Sequence, residues 1–284
     1  NNIKRFIALN HALHETKIGK IARTVAKNRE DVKLVLIAGP SSSGKTTFAQ
    51  KLGIQLEING VKPVVLSVDD YYRPNKDDGY PVDANGKLDF EAVQALRIGL
   101  LNEHILKLFE GEEVDCPIFD FKLGAPSLKT KKLRMPPGSV LVMEGIHCLN
   151  DELTHRIETR NKFKIFVAPM TQLNLNELNY ISNSTNRLLR RMCRDYTSRG
   201  ASALDTLSRW SSVRRGEDKH IFPFMRQANV IMNTALDYEL SVLKVYATPL
   251  LTSVTPSSEY YNHARELLSF LNHFSVLHDD FVPP

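Results

Sequence analysis

Cysteine is scarce in this chain. Its 284 residues include three, Cys116, Cys148 and Cys193, far apart and odd in number. None belongs to a C-x-x-C pair, so neither a disulfide framework nor a thiolate zinc site is expected. His11 and His14 stand three apart in a helical stretch, but no second ligand pair follows, and they read as ordinary surface residues. No apolar run approaches the ~18 residues of a membrane span, and no signal-peptide pattern is present. Repeats and low-complexity tracts are missing too. What remains is a soluble, globular composition, 42% hydrophobic and 24% charged. The chain is long enough for one or two domains and a sizeable core. Cytoplasm is the default compartment, a membrane partner is not expected, and a homo-oligomer stays open.

Charge of one sign is in modest excess, +5 at neutral pH. Such a surplus suits nucleic acid or small polyanionic ligands. The arginines concentrate in one segment, which favours phosphate ligands over nucleic acid.

The stretch LVLIAGPSSSGKTTFAQKL, from Leu34 to Leu52, supplies the phosphate site. Gly39, Gly44, Lys45 and Thr46 fit G-x-x-x-x-G-K-[ST]. Val32 to Ala38 reads as a buried strand, and Phe48, Leu52 and Leu56 recur at helical spacing. Strand, glycine-bounded loop and helix together make an anion nest backed by a helix N-terminus. Lys45 is expected to reach the β- and γ-phosphates, and the Thr46 hydroxyl to hold Mg²⁺. Gly39, Ser41, Ser42, Ser43, Gly44, Lys45, Thr46 and Thr47 are the expected nucleotide ligands. That leaves a switch GTPase, an ATP-driven machine or a small-molecule kinase.

Periodicity predicts a helix over 3–28, packed on the flank of the sheet, and a strand over 63–68 ending in Asp69-Asp70. It predicts a loop over 71–88, a helix over 89–110 and a short strand over 114–121. Residues 122–138 read as a basic surface excursion. Strands are expected at 139–143, ending in Glu144-Gly145, at 163–168 and at 229–232. A long helix should run to about Tyr196, followed by an arginine-studded segment to about Pro223. Helices are expected over 236–246 and 258–274. Strands alternating with helices predict an α/β fold with a doubly wound, mostly parallel sheet.

In such a sheet, function gathers at the carboxyl ends of the strands. Asp69 and Glu144 stand there as carboxylates able to hold Mg²⁺ or to take a proton from an attacking hydroxyl. Asp70 is the alternative base. RLLRRMCRDYTSRG sets Arg187, Arg190, Arg191 and Arg194 on one helical face, with Arg199 after a short break. Guanidinium groups so close need carboxylates or phosphates between them. The expectation is an arginine-rich lid that clamps triphosphate and excludes water. Asn75-Lys76-Asp77-Asp78 imitates the guanine-reading N-K-x-D motif, but it lies in a Pro/Asp-rich loop and precedes the only D-x-x-G match, Asp83–Gly86. The order is wrong for a switch GTPase.

The loop GPSSSGKTT, the segment SVDDYYRP, the strand end MEGIH and the arginine segment, in that order, resemble the uridine kinase and phosphoribulokinase-like group over about residues 30–250. KFKIFVAPMTQLN, SVRRGEDKHIFPF and YELSVLK are similar to its branch of uridine-kinase-like nucleoside kinases. The resemblance implies a P-loop kinase fold, ATP and Mg²⁺, and a small-molecule acceptor. It implies Asp69 as base for a 5′-hydroxyl, Tyr72 and Arg73 on the acceptor side, and Asp89, in KLDFEA, on the ribose hydroxyls. It implies Glu144 near magnesium, with Thr46 and Asp69, and Arg191, Arg194 and Arg199 on phosphates or acceptor. Pyrimidine-specific members read PVYDFVSH where this chain reads PIFDFKLG, so Phe119 stands for a Tyr and Gly124 for a His. Ala201 stands where a lid arginine is usual. Nucleoside kinase chemistry is therefore expected without secure uridine specificity. The alternatives are a kinase for another sugar-like alcohol and a non-catalytic ATP-binding module. The organisation expected is an N-terminal helical segment over 1–30, a kinase domain over 31–250 with its lid at about 190–223, and a C-terminal helical extension over 251–284. Longer members of the branch carry a segment similar to part of threonyl-tRNA synthetase, and the first residue here is not Met, so an upstream region is expected.

Overall fold

Side-chain alternation within the strands sets the layers. In Leu34–Ala38, Leu34, Leu36 and Ala38 join one buried cluster, and Val35 and Ile37 join another. A strand buried on both faces belongs inside a parallel sheet covered by helices on both sides. The computed structural model describes residues 2–82, 86–121, 123–171 and 181–283, and its sheet is of this kind. Its strands are β1 (Leu34–Ala38), β2 (Lys62–Ser67), β3 (Glu113–Asp120), β4 (Ala125–Arg134), β5 (Ser139–Glu144), β6 (Lys162–Ala168) and β7 (Val230–Asn233). Five of them form a wholly parallel sheet in the order β2-β5-β1-β6-β7. Helices α1 (Ile3–Lys27) and α2 (Lys45–Ile58) cover one face through Ile18, Ala22, Val25, Phe48, Leu52 and Leu56. Helix α3 (Ile98–Phe109) covers the other through Leu101, Ile105 and Leu108. The sheet is doubly wound, as its alternating elements predict.

A third apolar cluster lies among α4 (Asn183–Arg194), α5 (Ala203–His220), α6 (Glu239–Thr252) and α7 (Tyr261–Leu271). Leu188, Leu189, Trp210, Leu251, Leu267 and Leu271 meet there. Residues on both sides of position 250 thus share one core. Helix α5 starts at a capping box in which Ser202 and Asp205 exchange hydrogen bonds.

Four segments differ from expectation. The helix foreseen over 89–110 begins only at Ile98. Arg97 N–H donates to Tyr71 O (2.9 Å) and Arg73 N–H to Ala95 O (2.8 Å), and Tyr72 bridges Leu96. A short 3-10 turn, Val93–Ala95, comes first, and this pairing then holds Leu96 extended along the segment that follows β2. The basic excursion over 122–138 is largely β4, antiparallel to β3, with a register shift between Pro117 and Phe119. Its side chains are mostly exposed on both faces, so no apolar alternation marks it as a strand. The helix expected to reach Tyr196 stops at Arg194, and a five-residue π turn, Asp195–Arg199, leads to left-handed Gly200. The arginine-studded segment after it is the long helix α5. The 172–180 part of the predicted helix, and Asp83 of the D-x-x-G match, lie outside the described residues.

Candidate active site

The sheet aligns three strand ends. Ser67 of β2 and Ile37 of β1 both register with Glu144 of β5. The loop after β1, the short helical turn Val68–Tyr71 after β2 and the end of β5 therefore meet at one edge.

The phosphate loop is shaped by close approach. A Cβ on Gly39 would lie 2.0 Å from Val167 O, so only glycine lets the loop cross β6 at this height. Ser42 (φ 58°) and Gly44 (φ 87°) both take left-handed backbone, the turn that directs successive N–H groups inward. Lys45 Nζ donates back to Gly39 O (3.1 Å) and Pro40 O (3.4 Å). Thr234, after β7, donates its hydroxyl to Ser43 O (2.6 Å). The buried hydroxyls of Ser42 and Ser43 have no described partner. Thr47 is exposed on the first turn of α2.

Glu144 is buried and accepts from Thr46 Oγ1 (3.1 Å) and Ser67 Oγ (3.3 Å). Burial raises its pKa, and Lys45 opposes the rise. Among the described residues no group of three His, Cys, Asp or Glu could hold a metal unaided. Thr46, Ser67 and Glu144 nevertheless form a set of hard oxygen donors. That suits Mg²⁺, which takes one or two protein ligands and completes its shell with phosphate oxygens and water. The glycine cradle and the unpartnered serine hydroxyls fit a triphosphate.

Asp69 and Asp70 sit side by side on the turn and differ in employment. Asp70 accepts from Phe119 N–H (3.1 Å) and so pins β3; burial raises its pKa. No described hydrogen bond or ion pair engages the Asp69 carboxylate, which lies close enough to oppose ionisation of Glu144 and Glu91. Tyr72, Phe119 and Phe121 form an aromatic tier, with ring centroids 5.9 and 5.1 Å apart. The Arg199 guanidinium lies 4.9 Å over Phe121. Arg73 is tied locally to Asp77 (2.8 Å) and to the carbonyls of Asp78 and Gly79. Asp89 is held by Glu91 N–H (3.1 Å) and lies 3.3 Å from His220 Nε2 on α5.

The arginine stripe is spread among carboxylates. Arg187 pairs with Glu217, Arg190 with Glu239, and Arg191, Arg194 and Arg199 all with Asp195 (3.2, 2.7 and 3.6 Å). Arg191 also donates to Ser41 Oγ (2.7 Å), and burial lowers its pKa. The repulsion inherent in the stripe is thus relieved inside the protein.

Several residues at this site escape a sequence reading. Asp195 neutralises three arginines, and its offset of four from Arg191 was the available sign. Glu91, two residues beyond Asp89, is pushed up by burial to about 7. It lies under Gly216 of α5, where a Cβ would come within 2.5 Å of the Glu91 side chain. Glu217 and Thr234 reach the loop, and Ser67 reaches Glu144, only through the tertiary fold. A cleft of about 880 Å³ opens elsewhere, at the amino ends of β1 and β5, lined by Arg29, Glu30, Leu108 and Arg134. It is at the wrong end of the strands for the phosphate chemistry.

Known proteins agree with the architecture. The profile of the Phosphoribulokinase / Uridine kinase family matches residues 34–241. A uridine kinase of Anoxybacillus flavithermus is 29% identical over 206 residues, 72% of this chain and 87% of its own length. One from Mycoplasma genitalium is 30% identical over 180 residues, 63% and 74% of the two chains. Among solved structures, a candidate fructose transport system kinase from Silicibacter sp. superposes with a TM-score of 0.53 at 16% identity, covering 76% of this chain and 98% of that one. A candidate P-loop kinase from Saccharomyces cerevisiae gives 0.50 at 12% identity, covering 80% and 98%. These two likenesses concern the fold alone. With the phosphate loop at the head of α2 and the family profile spanning β1 to α6, the chain is a P-loop small-molecule kinase and belongs to the phosphoribulokinase and uridine kinase family.

Proposed function

We propose that this kinase transfers the γ-phosphoryl of Mg·ATP to the 5′-hydroxyl of a ribonucleoside. The observation that carries the reading is the unengaged Asp69 carboxylate, beside the phosphate loop and ahead of the Tyr72–Phe119–Phe121 tier. Asp69 accepts the hydroxyl proton as the oxygen attacks. The loop N–H groups and Lys45 hold the phosphates, with Ser41, Ser42, Ser43, Gly44 and Thr47 around them. Thr46, Glu144 and Asp69 are the metal-side oxygens. Mg²⁺, when bound, neutralises charge on the phosphate oxygens. Arg191, Arg194 and Arg199 lie on the α4 end and the π turn. They act as the lid that draws in over the transferred group and keeps water out.

Base discrimination is expected to be weak. Phe119 stacks but offers no hydrogen bond. At Gly124 (φ 64°), a Cβ would lie 2.3 Å from the Asn75 amide, so this backbone does not admit the histidine of pyrimidine-specific relatives. A second reading, a kinase for another sugar-like alcohol, is favoured by Asp89, whose carboxylate already meets His220 and Glu91 N–H. The test is kcat/KM for uridine, cytidine, adenosine, guanosine and 2′-deoxyuridine beside a set of sugars and sugar acids. The nucleoside reading expects the ribonucleosides to lie within about tenfold of one another and the deoxynucleoside to be poor. Activity confined to sugars would replace it with the second reading.

A further inference from the structure

Glu217 is fully buried and Arg187 nearly so, with side chains 0% and 3% exposed. Taking a carboxylate and a guanidinium out of water is costly before pairing, so the arrangement needs a reason beyond holding two helices together. The pair itself is two-pronged: Arg187 Nη1 meets Glu217 Oε1, and Nη2 donates to Oε2 at 2.8 Å. Arg214 approaches Oε2 at 3.7 Å, and the Trp210 ring stacks 5.4 Å from the Arg187 guanidinium.

Both ions have a second partner, and it is the same residue. Ser41 N–H donates to Glu217 Oε1 (3.1 Å), and Arg187 Nη1 donates to Ser41 O (3.3 Å). With Arg191 on Ser41 Oγ, every polar group of this third residue of the phosphate loop is held by α4 or α5. The later part of the loop is held differently, by Thr234 on Ser43 O. The two halves of the nest are therefore oriented by separate elements, and the first half depends on a buried ion pair. A nest binds phosphate well only if its N–H groups are fixed before the ligand arrives.

We propose that Glu217, acting with Arg187 through Ser41, is a positioning residue that pre-sets the phosphate loop for the nucleotide. This rests on the kinase reading of the loop, and the experiment separates the two. Mg·ATP binding is measured by calorimetry without acceptor, for the parent and for two variants. Arg187→Met/Glu217→Leu replaces the pair by apolar side chains, an exchange that buried ion pairs often tolerate. Glu217→Asp keeps the charge beside Arg187 but draws it back from Ser41. Each variant is melted to establish folding. The expected result is a nucleotide Kd raised about tenfold in the folded variants, the scale of one hydrogen bond to a charged group. Steady-state kinetics should show KM for ATP rising by a similar factor and KM for the acceptor by less than about twofold. Parent-like affinity in either folded variant overturns the inference and leaves the kinase reading intact. A parent that binds no Mg·ATP overturns both. Unfolding of both variants assigns the pair to stability alone and overturns the positioning role.

Discussion

Among the described residues the Lys45 ammonium donates only to the carbonyls of its own loop, so its replacement removes function without opening the core. Lys45→Ala is expected to lose nearly all turnover while its melting temperature stays within a few degrees of the parent. Equal turnover would remove the phosphate-loop assignment. The neighbouring aspartates divide more finely. Asp69→Asn should lower kcat by about 10²–10⁴-fold, the usual share of a general base, with little change in ATP affinity measured by titration. Asp70→Ala leaves Phe119 N–H without its acceptor, and about 1–3 kcal/mol of stability should go with it; chemical denaturation reads the difference. If Asp69→Asn keeps parental kcat, the base lies elsewhere. The sequence allowed either aspartate as base. Their separation came from one contact, Asp70 to a strand 49 residues away, which no local pattern encodes.

At the scale of elements, local spacing reads well and distant pairing does not. The phosphate loop and its flanking strand and helix follow from eight contiguous positions and the apolar residues beside them. By contrast, β4 has little apolar alternation, and Leu96 is extended between the short turn Val93–Ala95 and α3 because it bridges to Tyr72. Glu91 is the clearest loss. It falls inside the helix expected over 89–110 and instead packs against Gly216 of α5. Burial is the chief cause of its raised pKa; Glu217 and Asp69 add to the rise, while Arg191 and Lys45 oppose it. A carboxyl raised from 4.5 to about 7 keeps a proton in the folded chain that the unfolded chain releases. Folded stability contributed by this group is therefore present below about pH 4.5 and is lost as pH rises towards 7. Glu91→Gln should remove that loss. Urea unfolding at pH 5 and pH 8 is expected to show the variant gaining on the parent at the higher pH by about 1–3 kcal/mol, from ~1.4 kcal/mol per unit of displacement. His147, pushed down to about 3 by burial, contributes the opposite slope to both proteins and cancels in the comparison. A constant difference between the two pH values would place the Glu91 carboxyl in water.

Across the whole molecule, the helical layer and the sheet are joined where the chemistry is expected. Helices α4 to α7 share one core, and from that core Arg187, Arg191 and Glu217 reach Ser41 while His220 reaches Asp89. The C-terminal residues from Leu251 on are thus tied to the site through the core they share with α4 and α5. Leu251, Val254, Ala264, Leu267 and Leu271 belong to that core. Ending the chain at residue 250 removes these five from the core they share with Leu188, Leu189 and Trp210, at a cost of ~25 cal/mol per Å² of apolar surface left exposed. The expectation is specific in its order. The truncated chain should lose the protection of α4 and α5 amides in hydrogen exchange while β1, β5 and α2 stay protected. Mg·ATP affinity should fall with it, because the first half of the phosphate loop has lost its support. The milder Leu267→Ala, at about 2–5 kcal/mol for a buried leucine, should lower the melting temperature but leave nucleotide affinity near the parent while the protein is folded. A truncated chain that keeps protected α4 and α5 amides and parental affinity would make 251–284 an extension that does not support the site.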